Sequence, residues 1–76
     1  MINKLLKKGD EVWIEGDIEF DDYNVRCSTL ATVLMDEEPG ETQLYCRLDE
    51  LDGDHDVCVF VDCEDLHMGQ LMKEAT

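Results

Sequence analysis

The sequence predicts an all-β (mainly β) chain, built as a small barrel of four to five short antiparallel strands with a short helical turn near the C-terminus. Three observations carry that expectation. Apolar and acidic side chains alternate with period two over residues 12–20; turn-forming clusters punctuate the chain at 21–24, 36–41 and 51–54; and a β-branched and aromatic run occupies 57–61. With 76 residues there is material for one core and not two, so a single domain over 1–76 is expected.

Each element has a local reason. Ile2, Leu5 and Leu6 fall at helix-like spacing, and Gly9 stands where a C-cap glycine would, which predicts a short helical turn over 2–8. From Val12 the period changes: Val12, Ile14, Gly16, Ile18 and Phe20 share one parity, while Glu11, Trp13, Glu15, Asp17, Glu19 and Asp21 share the other. Gly16 predicts a bend or bulge, with two short strands in place of one long one. Val25–Met35 is rich in Val, Leu, Thr and Ala and predicts another strand, closed by Asp36-Glu37-Glu38-Pro39-Gly40-Glu41. Thr42–Leu48 alternates Leu44, Cys46 and Leu48 against Gln43, Tyr45 and Arg47, and an Asp-Gly pair at 52–53 predicts a tight hairpin. Val57–Val61 is the next strand. Cys63-Glu64-Asp65-Leu66 then predicts the helical turn, its acids near the unpaired N–H groups, and His67–Ala75 is either a brief last strand or a ragged helix.

The stretch Lys8-Gly9-Asp10-Glu11-Val12-Trp13-Ile14 resembles the opening strand of SH3-like small barrels, Tudor and KOW-type modules among them, in which a basic residue, Gly and Asp precede alternating apolar positions. By the same resemblance Ala31–Leu34 is similar to the second strand, Tyr45–Leu48 to the third, Cys58–Val61 to the fourth, and Asp65-Leu66 to the turn before the last. The resemblance implies a binding fold, which hosts peptide, protein and nucleic-acid ligands alike. It also implies that aromatics at positions such as Trp13 and Tyr45 line a groove beside acids. KOW modules that bind RNA are usually basic, and here the chain departs from them.

That departure is large: twenty Asp and Glu oppose six Lys and Arg, a formal charge of -14. Such a surface repels phosphate, so direct nucleic-acid binding is not expected and a basic protein partner is. Glu15, Asp17, Glu19 and Asp21 form one row at alternate positions, and Glu50, Asp52, Asp54 and Asp56 another; alternate strand side chains stand about 6.7 Å apart. Rows of that spacing also permit a second reading, a DNA mimic that occupies a nucleic-acid-binding protein as phage and mobile-element anti-restriction proteins do. The plain alternative is a solvated face that keeps the chain soluble.

No cofactor or catalytic fingerprint emerges. Asp52, Asp54 and Asp56 imitate the start of an EF-hand loop, but Val57 and Cys63 stand where Gly and Glu are needed. Cys58, Cys63, His55 and His67 supply ligand types for a zinc-stabilised structural domain, a third reading, at a loose spacing. Cys63 is a poor nucleophile candidate, because Asp62, Glu64 and Asp65 oppose a further anion there. No export signal or membrane-length apolar run is evident, which predicts a cytoplasmic protein with reduced Cys27, Cys46, Cys58 and Cys63.

The expected partner-binding set is therefore Trp13, Glu15, Asp17, Glu19, Asp21, Tyr45, Glu64 and Asp65, with no metal and no catalytic residue. Carboxylates in residues 15–22, 36–41 and 62–65 steer the partner, and Trp13 and Tyr45 supply the contact freed of water. Trp13 either stacks on a cationic side chain or caps the barrel with only its N–H exposed. Lys4, Lys7 and Lys8 lie apart from that face and leave room for a second contact or a homodimer.

Overall fold

In the computed structural model, residues 2–20, 23–49 and 57–75 are described, without the side chains of 17–20, 23–25 and 27. Five antiparallel strands form one sheet: β1 (Glu11–Phe20), β2 (Tyr23–Val33), β3 (Gln43–Leu48), β4 (Val57–Asp62) and β5 (Gln70–Lys73), in the spatial order β4-β3-β2-β1-β5. A single described helix, α1 (Cys63–Met68), lies between β4 and β5. The 63–66 helical turn thus extends by two residues through Met68, and of the 67–75 segment Gln70–Lys73 forms the brief last strand.

Alternation decides which faces meet. Val12 and Ile14 of β1, Ala31 and Val33 of β2, Leu44, Cys46 and Leu48 of β3, and Val61 of β4 all turn inward and are buried. β1 also packs against β4, and α1 packs on both, so the sheet curls around the core with Leu66 and Cys63 filling the space beneath. Removing a buried leucine from such a core costs about 2–5 kcal/mol.

Two expectations need correction. The 10-residue β1 runs unbroken through Gly16, which takes φ 119 opposite Cys27; the bend is absorbed within one strand because glycine reaches that region without a Cβ clash. Residues 2–8 do not form a helical turn. Their polar backbone atoms are drawn to other segments: Ile2 N–H donates to the His67 carbonyl at 2.8 Å, and Leu6 N–H to Glu37 Oε1 at 3.0 Å. In return the Glu37 N–H donates to the Leu6 carbonyl at 2.8 Å. Leu6 is buried and Leu5 points to solvent, so the apolar spacing serves a single anchor and no helical face.

The Lys8-Gly9-Asp10 motif has a structural use. Asp10 is buried, and its carboxylate accepts the N–H groups of Lys7 and Ala75, tying the turn before β1 to the chain beyond β5.

Candidate functional site

The outward face of the β3–β4 hairpin carries the most exposed aromatic surface among the described residues. On β3 the outward parity is Gln43, Tyr45 and Arg47, and on β4 it is Asp62, Phe60 and Cys58, paired in that order across the ladder. Tyr45 is 38% and Phe60 50% exposed, with ring centroids 5.1 Å apart and planes tilted by 52°. A tilted pair of this kind contributes about 0.5–1.5 kcal/mol beyond its buried area.

Acids border the pair on one side. Asp62 shares Phe60's face two residues further on, and Gln43 Nε2 donates to its Oδ1 at 3.0 Å, which holds the carboxylate in place. Glu64 is exposed and Asp65 half-buried at the start of α1. Burial, and then the charges of Asp62 and Glu64, push the Asp65 carboxyl above the usual Asp range, so the three acids crowd one another. On the other side of the rings stands Arg47, whose Nε lies 3.7 Å from Asp49 Oδ1.

The remaining expected residues divide. Trp13 is half-buried and outward on β1, and its indole N–H donates to Glu15 Oε1 at 2.7 Å. Its cross-strand neighbours are Leu30 on β2 and Gln70 on β5. Trp13 and Tyr45 share the outer parity, yet β2 runs between their strands and Arg47 pairs with Thr32, the partner of Glu11. The indole and the phenol therefore do not form one cluster. Asp17 and Glu19 lie on β1 with Glu15's parity, although their side chains lie outside the described ones. Asp21 lies outside the described residues, as does the whole second acidic row, the Asp-Gly turn and His55.

Phe60 was not among the expected contacts. Period-two parity places it opposite the inward Val61, and that signal was available within the 57–61 run. From the acidic run at 36–41, Glu37 is buried and committed to Leu6 and His67, so it faces no partner. Asp36 Oδ1 accepts the Lys8 N–H at 2.9 Å.

Cysteine chemistry is muted. Cys46 and Cys63 are buried free thiols and Cys58 an exposed one. Burial, with the Glu37, Glu41 and Asp62 carboxylates, pushes the Cys63 thiol up to about 11, and it hydrogen-bonds Glu37. His67 pairs with Glu37 as well, not with the thiol. Among the described residues no three His, Cys, Asp or Glu side chains converge as a metal site, and no helix is long and apolar enough to cross a membrane. No protein-family model, curated protein or solved structure matches the chain.

Proposed function

We propose that this chain is a non-enzymatic binding module of the SH3-like small-barrel kind that engages a Lys- or Arg-rich protein surface. The observation that carries the reading is the exposed Tyr45–Phe60 pair bordered by the anchored carboxylate of Asp62, on a chain of charge -14. Long-range attraction would speed encounter, and the two rings, with Asp62, Glu64 and Asp65 beside them, would take up the aliphatic stem and charged head of a basic side chain. Trp13, with Glu15 fixed to its N–H, would extend the contact from β1 as a separate lobe. The β4-β3-β2-β1-β5 order, with a helical segment between β4 and β5, supports the SH3-like resemblance.

The test is capture of binding proteins at low ionic strength, stepwise salt elution, and competition. An Arg- or Lys-rich peptide should displace the captured partner, and Tyr45→Ala with Phe60→Ala should abolish capture. Displacement by duplex DNA and not by the peptide would overturn this reading in favour of a DNA mimic.

A further inference from the structure

The His67 ring joins two segments that are remote in the sequence. Nδ1 lies 2.8 Å from the carbonyl oxygen of Ile2, and Nε2 lies 2.7 Å from Glu37 Oε1. A carbonyl has no proton to give. The Glu37 carboxyl has none either: burial would raise it, but the Leu6 N–H and His67 outweigh burial and hold it below the ordinary carboxylate range. Both ring nitrogens must therefore donate, and only the imidazolium carries two N–H groups.

We propose that imidazolium His67 is a proton-controlled clamp that holds the N-terminal segment against the end of α1 and loosens it when the ring loses its Nδ1 proton. The neutral ring keeps a single N–H. It stays on Nε2, because the bond to the carboxylate is charge-assisted and the stronger of the two, and the Nδ1 proton passes to water. The bond to Ile2 is the one that breaks. Ile2, Asn3 and Lys4 form one wall of a groove of about 460 Å³, and Gly69, Gln70 and Leu71 form the other. Loss of the clamp frees that wall and leaves the N–H of Ile2 on the His67 carbonyl as its remaining hydrogen bond to α1, a single bond that then opens more often.

The charged groups around the ring fix the direction of the response. Glu37 faces it from the 34–42 loop; Cys63 lies one turn earlier on α1 and hydrogen-bonds the same carboxylate; Glu41 and Asp62 act on Cys63. Just beyond β5, Glu74 pairs with Lys4 at 2.8 Å on the surface. Burial disfavours the charged ring, but the Ile2 carbonyl and Glu37 outweigh it and raise His67 above 6.5. Its contribution is thus complete below 6.5 and lost as pH rises through the raised value. The Glu37 contribution is complete above 4.5 and lost as pH falls through the lowered value. The clamp is complete between those limits.

The experiment is a pH titration of the intact chain by NMR, following the His67 ring nitrogens and the solvent-exchange protection of the Ile2 amide, corrected for intrinsic exchange. Both ring nitrogens should be protonated at pH 6, and a neutral Nε2–H tautomer should appear with a midpoint above 6.5. Protection of Ile2 should fall about tenfold with the same midpoint. In His67→Gln that midpoint should vanish from the Ile2 trace. A ring midpoint at or below 6.5, or Ile2 protection that stays constant while the ring titrates, overturns the proposal, and the wild-type titration decides it even if the variant does not fold.

Discussion

Tyr45 and Phe60 face one another across the β3–β4 ladder on the side opposite the buried Leu44–Val61 pair, so one hairpin places aliphatic side chains in the core and two aromatic rings in water. An exposed aromatic pair is poorly explained by stability alone. Replacing both rings by Ala should lower stability by the pair energy of about 0.5–1.5 kcal/mol plus the contribution of the ring area each one buries, while abolishing binding to a basic peptide. Chemical denaturation and calorimetry on the same variant separate the two effects, and unchanged binding would contradict the assignment of this face.

Asp65 lies between its own role and its neighbours. Its carboxyl is raised above the ordinary 3.8 by burial, Asp62 and Glu64, so ionisation works against the fold at every pH above that range. Asp65→Asn should therefore raise stability at pH 7 by a few tenths of a kcal/mol, the scale of a like-charge contact, while slowing association with a basic partner. Stopped-flow association at low salt and a urea midpoint measure the pair of outcomes; a less stable variant would count against the crowding of these acids.

Gly69 follows α1 where the chain passes over β1. A Cβ there would stand 2.6 Å from the Trp13 carbonyl oxygen and 2.7 Å from Val12 Cγ1, and its φ of -78 excludes backbone strain as the cause. Gly69→Ala should cost about 1–3 kcal/mol by overpacking, read as a lower thermal midpoint. A midpoint equal to wild type would show that the helix end gives way freely.

The thiols should differ sharply in reactivity. Burial, with the neighbouring Cys63, pushes Cys46 up to about 12, and Cys63 stands at about 11, whereas Cys58 is exposed. In a Cys27→Ser background at pH 8, a thiol reagent should label Cys58 at least roughly a hundredfold faster than Cys46 or Cys63. Equal rates by mass spectrometry would mean that the core opens on the labelling timescale. Because both buried thiols are raised, stability should also fall as pH climbs from 9, where unfolded thiols ionise, toward those values.

A charge of -14 on a small body penalises the compact state. Sodium chloride shortens the screening length from about 10 Å at 0.1 M to about 3 Å at 1 M, so the urea midpoint should rise with salt across that range. A falling midpoint would show that attractive pairs such as Lys4–Glu74 dominate over repulsion.

The local chemistry of the chain was legible. Period-two alternation at 12–20 and 43–48, Pro39-Gly40 in the turn, and acids ahead of Leu66 announced β1, β3, the loop before β3 and α1, because strand and cap preferences act over a few residues. Parity also marked Tyr45 and Trp13 as outward. It could not tell that β2 separates them, since that depends on strand order and register across the whole sheet.

What the sequence alone determined is a mainly β chain with an acidic exterior and alternating apolar strands, all consequences of side-chain period and composition. Only the tertiary structure decided the rest: that residues 2–8 forgo a helix to bond Glu37 and His67, that Glu37 is an internal acceptor and not a surface charge, and that Phe60 completes the pair with Tyr45. Each of these joins residues at least fifteen apart, where no local preference operates and the satisfaction of buried backbone groups and the pairing register take over.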